Sequence, residues 1–385
     1  MNPTQPPTTP APTAFATRCV HAAQEPDPAT GAIAAPIHLS TTFERDADGG
    51  YARGFRYGRE GTPNRTALEA CVADLEGGIA AVAFSSGLAA NMAILEQLAP
   101  GDRIVAAREG YHGTHRQLKE IVTRRGITVE FIDATDAAEI ARAVDARTRL
   151  LWVESPANPL LSLTDLARAT EIAHARGARV VCDSTFATPH CQRPFDFGVD
   201  LVVHSGTKYF GGHSDILSGL VIVHDDRDLA ARLLEWQSLA GAVLAPFDCW
   251  LLRRSITTLG LRMQRQCANA FDLAGWLNGH AAVERALYPG LPGHPGHALA
   301  VRQMPGGFGA MISICVRGDQ ARALEVAART RLFRRATSLG GVESLIEHRA
   351  SVEGPGSRTP PNLLRLSIGI EEATDLRADL AQALR

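Results

Sequence analysis

Residues 200–214 read Asp-Leu-Val-Val-His-Ser-Gly-Thr-Lys-Tyr-Phe-Gly-Gly-His-Ser, and this segment decides how the chain is interpreted. Its first half is an apolar run suited to a buried strand, and small and hydroxyl residues then surround one lysine, Lys208. A strand that ends in this way delivers an amine to the edge of a sheet. Burial lowers the pKa of such an amine and makes it a nucleophile toward an aldehyde. A lone lysine after a strand is usually structural or solvent-facing, so its neighbours must support the assignment.

The hydroxyl residues beside Lys208 indicate which aldehyde is involved. Ser205 and Thr207 add donors that can hold an anion, and together the three residues suggest a Schiff base to pyridoxal phosphate (PLP), with the phosphate beside it. The segment resembles the lysine signature of the PLP-dependent trans-sulfuration enzymes, a family that includes cystathionine γ-synthase, cystathionine β- and γ-lyases, methionine γ-lyase and O-acylhomoserine sulfhydrylases. The resemblance extends over nearly the whole chain from about Thr17.

Composition limits the class of protein. The chain has 385 residues, 45% of them hydrophobic, with a net charge of −2 and a pI near 6.7. These values predict a large core in two or three domains and no basic surface for nucleic acid or an anionic membrane. Residues 1–12 lack the basic start and apolar core of a signal peptide, and no apolar run is long enough to cross a bilayer. We expect small-molecule partners and copies of the chain itself.

The cysteines predict a cytoplasmic protein. They form an odd, scattered set without a Cys-x-x-Cys pair, which favours reduced thiols over disulfides and argues against zinc. No metal is expected. The seven are Cys19, Cys71, Cys182, Cys191, Cys249, Cys267 and Cys315.

Strand-like and helix-like segments alternate along the chain. This βαβ rhythm predicts a mostly parallel sheet with helices on both faces and ligands beyond the carboxyl ends of its strands. The resemblance implies an aspartate-aminotransferase-like (type I PLP) fold with a smaller C-terminal α/β domain. We expect a disordered tail (1–16), an arm that contacts a neighbouring subunit (17–61), a PLP-binding domain (62–250) and a C-terminal domain (251–385). The Pro-, Gly- and His-rich residues 288–307 are expected to form a loop or lid.

A strand, a turn of small residues and a helix predict an anion site near residue 86. This arrangement places free backbone N–H groups and a helix N-terminus against the anion. Alone, a Ser-Ser-Gly turn is more often a plain helix cap. The resemblance implies that Ser86, Gly87 and Leu88 bind the cofactor phosphate.

Polar residues at strand ends predict the contacts to the cofactor ring. Asp183 closes an apolar strand, where an unpartnered carboxylate is costly, and a protonated pyridine nitrogen would remove that cost. Thr185 follows it and is assigned to the same site. The resemblance implies that Tyr111 stacks on the ring and that Asn158, supported by Glu154, lies near the ring oxygen. The plain alternatives are a turn aspartate and a structural asparagine.

The segment around Tyr57 and Arg59 predicts a shared active site. By resemblance, both residues contact the cofactor phosphate of a neighbouring subunit, with Tyr57 also near the reacting substrate. The family's usual Asn-Pro-Thr is replaced by Thr62-Pro63-Asn64. The resemblance implies a homotetramer of two dimers that share active sites, whereas the plain alternative is an exposed loop.

The substrate contacts are also assigned by resemblance. Arg365 lies on a predicted strand, and arginine grips a carboxylate through two parallel hydrogen bonds, so we expect it to bind the substrate's α-carboxylate. Ser338 is expected to contact this region and the lysine. Arg116 matches an arginine of cystathionine-processing members and favours a substrate with a distant carboxylate, although a solvated helix charge is the alternative. His112 and His115 are taken as surface residues.

These assignments predict a PLP-dependent C–S lyase of sulfur amino-acid metabolism. Lys208 is the expected base, with Tyr57 and Tyr111 as further catalytic residues, and cystathionine or a similar thioether is the expected substrate. We place β-elimination ahead of γ-elimination. Many γ-active members carry a glutamate where this chain has Thr337, and the loop after Leu345 is shorter than the family's proline-bearing version; both departures argue against a standard γ-synthase. The alternatives are cystathionine γ-synthase or another γ-replacement transferase using an O-acylhomoserine and, more remotely, a non-catalytic PLP-binding regulatory protein.

Overall fold

The computed structural model of the chain describes residues 14–354 and 358–385. Most of the tail predicted at residues 1–16 therefore lies outside the described residues. Within the described chain, helix α1 (Phe15–His21) begins inside the predicted tail.

The larger sheet has seven strands in the order β1-β7-β6-β5-β4-β2-β3. Strands β3, β2, β4, β5 and β6 run parallel, and β7 is antiparallel to both of its neighbours. The mostly parallel sheet predicted from the βαβ rhythm is thus confirmed. The strands are β1 (Ala80–Phe84), β2 (Arg103–Ala107), β3 (Thr128–Ile132), β4 (Thr148–Glu154), β5 (Arg179–Asp183), β6 (Leu201–His204) and β7 (Gly219–Val223).

Helices cover both faces of this sheet, and the burial of β1 shows why. Ala81 and Ala83 pack into one apolar cluster with residues of helix α2, whereas Val82 and Phe84 pack into another with residues of α3 and α8. Because successive side chains of a strand point to opposite faces, a strand covered on both sides must be apolar throughout. The helices up to this domain's end are α2 (Pro63–Glu76), α3 (Gly87–Leu95), α4 (His112–Arg116), α5 (Ala137–Ala143), α6 (Leu166–His174), α7 (Thr188–Cys191), α8 (Arg227–Ala240) and α9 (Pro246–Ile256).

Local signals fix the ends of helix α2. The Thr62 hydroxyl accepts a hydrogen bond from the Arg65 N–H at 3.3 Å, and Pro63 occupies the first turn, where its missing N–H costs nothing. Gly77 ends the helix with φ +86°, a left-handed conformation that glycine adopts readily.

A second, smaller sheet follows in the order β10-β11-β12-β9-β8. Neighbouring strands of this sheet run antiparallel, except that β10 and β11 are parallel. Residues of both sheets belong to one apolar cluster, so the two layers share a core. The elements are α10 (Leu259–Asn278), β8 (Val283–Leu287), α11 (His297–Gln303), β9 (Met311–Val316), α12 (Gln320–Arg329), β10 (Arg334–Arg335), β11 (Leu345–His348), α13 (Arg349–Glu353), β12 (Leu363–Ser367) and α14 (Ala373–Ala383).

Two sequence expectations meet a different geometry here. The domain boundary placed between residues 250 and 251 falls inside α9, and the domain division stays a proposal. Residues 288–307 contain α11 and pack against the rest of the protein rather than forming a lid. Tyr288 is fully buried and donates to the Gly309 carbonyl at 2.9 Å. Gln303 donates to the Thr164 carbonyl at 3.1 Å. The prolines and glycines suggested a loop, but the apolar and amide side chains among them anchor the segment.

Among the described residues, no helix has both the length and the apolar character needed to traverse a bilayer.

Candidate active site

A cavity of about 490 Å³ lies where the carboxyl ends of β4, β5 and β6 face residues of the second sheet. This is the edge of a parallel sheet at which ligands are expected. Most of the predicted site residues line it, namely Ser86, Gly87, Leu88, Tyr111, Asn158, Asp183, Thr185, Ser205, Thr207, Lys208, Ser338 and Arg365.

Lys208 lies in the loop that follows β6, and its amine projects into the cavity. The Arg262 guanidinium stabilises this loop by donating to the carbonyls of Tyr209 at 2.6 Å and Phe210 at 3.3 Å. The Lys208 amine donates to the Ser338 hydroxyl at 2.7 Å. Burial, and then the nearby charge of Arg365, lower the pKa of Lys208 to about 8. A far larger fraction of this amine than of an ordinary lysine is therefore neutral and nucleophilic near neutral pH.

Asp183 and Glu154 are paired residues at the ends of β5 and β4. Asp183 accepts hydrogen bonds from the backbone N–H of Thr185 at 3.0 Å and from its hydroxyl at 2.6 Å. Burial nevertheless raises the pKa of Asp183, because these two donors do not replace the lost hydration. A cationic N–H in the cavity would offset that cost.

Glu154 orients two of the predicted ring contacts. One of its oxygens accepts from the Tyr111 N–H at 2.7 Å and the other from the Asn158 N–H at 2.8 Å. Burial, together with the charge of Asp183, raises the pKa of Glu154 to about 8. The Tyr111 ring lines the cavity and stays 40% exposed, as a ring available for stacking must.

The start of α3 and the loop after β6 together make an anion cradle. The Ser86 hydroxyl accepts from the Ala89 N–H at 3.1 Å, which leaves the first helical N–H groups, those of Gly87 and Leu88, without an intrahelical partner. A Cβ added at Gly87 would come within 3.3 Å of the Ser205 Cβ, so the glycine keeps this space open. The Thr207 hydroxyl lines the same space, although it also donates to the Ser218 carbonyl at 3.2 Å.

Arg365 is a buried guanidinium held in place by three groups. It donates to the Asn158 side-chain oxygen and to the Ser338 carbonyl, each at 3.0 Å, and it pairs with Glu347 at 2.5 Å. Arg365 and Glu347 are opposite each other in the register of β12 and β11. Burial lowers the pKa of Arg365 to about 10, so the group remains a cation at neutral pH.

Ser338 connects the lysine to this arginine. Its hydroxyl accepts from Lys208 and its carbonyl from Arg365, and its φ of +86° lies in the left-handed region that serine rarely adopts. Such backbone strain concentrates at functional sites. The preceding residue, Thr337, also lines the cavity, and its side chain carries a hydroxyl rather than a carboxylate.

Three predicted residues lie outside the cavity of their own chain. The Tyr57 ring is 43% exposed, and Arg59 donates to the Ser238 carbonyl at 2.9 Å. Arg116 is exposed and pairs with Glu120 at 2.9 Å on the next turn. None of the three is among the described residues that line the cavity, and their assigned roles stay predictions.

Sequence reasoning missed a set of cavity residues on α13 and its surroundings. Arg349 is 3% exposed. His112, which the sequence predicts at the surface, is half-buried and accepts from Arg349 at 2.9 Å through Nδ1. The surface assignment of His112 is wrong because α13, distant in sequence, packs beside it. The one available signal was the altered loop after Leu345. The missed lining residues are His112, Leu217, Arg349 and Val352, and elsewhere in the cavity wall Asn91, Phe186, Val203 and Leu339.

The residues present fit PLP. Lys208 would hold the aldehyde covalently, the buried carboxylate of Asp183 suits a protonated pyridine nitrogen, and the α3 cradle suits a dianionic phosphate. An α/β fold with these groups at the carboxyl edge of its larger sheet defines a PLP-dependent enzyme.

Comparison with known proteins identifies the family. The family described as Cys/Met metabolism PLP-dependent enzyme matches residues 16–385, and the chain belongs to this family. It is similar to a cystathionine beta-lyase of Coxiella burnetii (46% identity, covering 96% of this chain and 97% of that protein). It is also similar to a cystathionine gamma-synthase of Mycobacterium tuberculosis (47% identity, 96% of each). A crystal structure of metB from Corynebacterium glutamicum superposes with a TM-score of 0.94 at 41% identity, covering 97% of this chain and 98% of that one. The predicted family, fold and cofactor are confirmed.

Proposed function

We propose that this chain is a PLP-dependent carbon–sulfur lyase that cleaves cystathionine or a similar thioether amino acid, with β-elimination ahead of γ-elimination. The observation that carries the proposal is the partly buried amine of Lys208, with a pKa of about 8, in the same cavity as the buried guanidinium of Arg365. A base with a pKa near the working pH and a fixed carboxylate site are what removal of an α-proton from an amino acid requires.

Each group has a distinct task. Arg365 binds the substrate's α-carboxylate and is itself oriented by Asn158 and Glu347. PLP, when bound, withdraws electrons from the α-carbon and so acidifies its C–H bond. Lys208 accepts the α-proton, and the Ser338 hydroxyl 2.7 Å away holds the amine in position. β-Elimination breaks the Cα–H and Cβ–S bonds, and after addition of water it yields a thiol, pyruvate and ammonia.

The number of protons to be removed, together with one residue of the cavity wall, supports β-elimination over γ-elimination. γ-Elimination requires protons to leave both Cα and Cβ, whereas β-elimination requires removal of the α-proton alone. Thr337 occupies the position beside Ser338 at which many γ-active family members carry a glutamate, and it adds no carboxylate to the cavity wall. Lys208 is then the base best suited to act on the substrate.

A γ-replacement transferase is the second candidate. It is favoured by the similarity to the M. tuberculosis cystathionine gamma-synthase, which is as high as that to the beta-lyase. Such an enzyme would join an O-acylhomoserine to cysteine or sulfide.

The keto acid released from cystathionine tests the proposal. We expect the purified holoenzyme to release pyruvate, and Lys208→Ala to release none. Release of 2-oxobutyrate instead would show γ-cleavage. No keto acid from cystathionine, together with condensation of an O-acylhomoserine with cysteine, would replace the lyase by the transferase. Absence of both reactions would leave a PLP-binding protein without turnover.

The oligomer and the compartment also belong to this proposal. A homotetramer of two dimers, in which Tyr57 and Arg59 reach a neighbour's cofactor phosphate, is supported by the exposure of Tyr57 and by the position of both residues outside their own cavity. A cytoplasmic location is supported by the seven cysteines, all free and buried. The domain bounds at 62–250 and 251–385 are proposed with it.

A further inference from the structure

A second guanidinium, that of Arg349, lines the active-site cavity beside Arg365. Arg349 begins α13, immediately after β11, and its side chain is 4% exposed. Burying a cation is costly unless it is paired. Here Glu353 pairs with it at 2.9 Å and Glu347 at 3.4 Å.

The two arginines are joined through one carboxylate. Glu347 pairs with Arg365 at 2.5 Å and with Arg349 at 3.4 Å, so the two guanidinium groups are one carboxylate apart. Both also contribute to lowering the pKa of Lys208, as cations close to an amine do. An amino acid whose α-carboxylate is bound at Arg365 therefore has a second cation within reach of its side chain.

Arg349 lies on the side of the cavity that leads to solvent. Val352, in the same short helix, lines the cavity and is 40% exposed, and Leu217 lines it and is 62% exposed. Arg349 and Arg365 are each only 3% exposed. Both guanidinium groups thus lie beneath an apolar rim, and Arg349 is the one that shares its helix with a rim residue. This placement suits a substrate whose side chain extends from Arg365 past Arg349 toward the rim.

His112 completes this part of the wall. Arginine has no acceptor, so the 2.9 Å contact between Arg349 Nη2 and His112 Nδ1 requires the nitrogen of the imidazole to accept. Burial, and then the charge of Arg349, lower the pKa of His112. The ring is held neutral with its proton on Nε2, and it adds a hydrogen-bond donor rather than a second charge.

We propose that Arg349 is a specificity-determining residue that binds an anionic group at the far end of the substrate's side chain. The proposal rests on the proposed function insofar as the substrate is an amino acid held at Arg365. It gives Arg349 the task that the sequence had suggested for Arg116, which is exposed and paired with Glu120.

Two unreactive ligands test the proposal without any turnover. 2-Aminooctanedioate and 2-aminooctanoate have equal chain lengths and differ in one terminal carboxylate, and neither has a leaving group. Their dissociation constants would be measured by calorimetry on the holoenzyme, on Arg349→Met and on Arg349→Lys. Arg168→Met, which removes an exposed ion-paired guanidinium from α6, is the matched control.

We expect the wild type to prefer the dicarboxylate, and Arg349→Met to weaken its binding by ~10- to 100-fold, the loss typical of a charge-assisted hydrogen bond. Binding of 2-aminooctanoate should change by less than about threefold, since this ligand has no anionic group to contact Arg349 and Glu347 remains paired with Arg365. Arg349→Lys should retain part of the preference because the charge remains.

A wild type without preference would overturn the proposal, and this result does not depend on any variant's folding. Equal weakening of both ligands in Arg349→Met would also overturn it, because a purely structural arginine acts on both. A preserved preference together with no keto acid from cystathionine would instead refute the lyase and leave the role of Arg349 standing.

Discussion

Asp183 and Glu154 are two buried carboxylates side by side at the ends of β5 and β4, and burial raises the pKa of each. A carboxyl whose pKa is higher in the folded than in the unfolded state binds its proton more tightly when folded. Stability then falls as pH rises from the unfolded pKa toward the folded pKa. The apoprotein therefore loses stability as these two carboxyls ionise, and a cationic cofactor ring would offset the loss that comes from Asp183.

Asp183→Asn should therefore stabilise the apoprotein while it weakens PLP binding. Asparagine can still accept from Thr185, but it is never charged, so the apoprotein should gain stability near pH 7. The gain should vanish below about pH 3, where aspartate is protonated in both the folded and the unfolded state. Urea unfolding of the apoprotein at both pH values measures this difference.

Asp379→Asn is the contrasting variant. Asp379 is also buried, but its two oxygens accept from the backbone N–H groups of Arg331, Leu332 and Phe333. Asparagine has only one acceptor oxygen, so this change should destabilise by about 1–3 kcal/mol. If Asp183→Asn also destabilised the apoprotein near pH 7, the account of Asp183 as a carboxylate that awaits a cation would be wrong.

At the residue scale, the sequence was most informative where a charged group follows an apolar run. Asp183 ends a buried strand and Lys208 lies in the loop that follows one, so their expected positions needed only the local pattern. Arg349 and Glu347 could not be found in this way, because their proximity to Arg365 depends on the register between β11 and β12. That register is set by the packing of the whole second sheet.

At the scale of elements, helix α3 has two tasks: it packs on the sheet, and its first turn lines the cradle. Ser86→Ala removes the N-cap hydrogen bond to Ala89 and a hydroxyl from the cavity. We expect a loss of about 1 kcal/mol in the free energy of unfolding. We also expect weaker PLP binding, measured as an increase in the dissociation constant for PLP titrated into the apoprotein.

Asp319→Ala separates the two effects of that change. Asp319 caps α12 by accepting from the Arg322 N–H at 3.0 Å, so its removal should cost a similar amount of stability. Its effect on the PLP dissociation constant should be negligible. Equal PLP affinities in Ser86→Ala and Asp319→Ala would contradict the assignment of the cradle to the phosphate.

The elements themselves were largely predictable, and the differences have local causes. The spacing of apolar residues predicts a helix over 163–176, whereas α6 begins only at Leu166, because Asp165 caps it by accepting from the Arg168 N–H at 3.1 Å. The lid expected at 288–307 is a packed connection with a helix of its own. Prolines and glycines indicate an interrupted backbone, but they do not indicate how much of it is buried.

At the scale of the whole molecule, the arm of residues 17–61 is notable for the apolar side chains that it exposes in the single chain. Many of its side chains are exposed, including Ile33 at 72% and Leu39 at 68%. Exposed apolar residues of this kind are typical of an interface. The sequence pointed to a neighbouring subunit through Tyr57 and Arg59, but neither periodicity nor composition defines how two chains meet.

Mixing two inactive variants tests the shared site. Lys208→Ala lacks the base and Arg59→Ala lacks the proposed phosphate contact, so each homomer should have little or no activity. Co-refolded hybrids should regain part of the wild-type rate, because a site with Lys208 from one chain and Arg59 from the other is complete. An Arg59→Ala homomer with full PLP affinity and activity, or hybrids with no regain over the unmixed proteins, would count against sharing.

The central claim is that Lys208 holds PLP, and the chain allows an unusually direct test because it contains only two lysines, Lys119 and Lys208. Lys119 is exposed and its ammonium lies 5.0 Å from the centroid of the Phe131 ring, so it provides the internal comparison. The measurement is borohydride reduction of the PLP-loaded protein followed by peptide mass spectrometry, on the wild type, Lys119→Arg and Lys208→Ala. We predict a stable PLP adduct on Lys208 in the wild type and in Lys119→Arg, and none in Lys208→Ala. An adduct on Lys119 alone, or equal labelling when Lys208 is removed, would contradict the account.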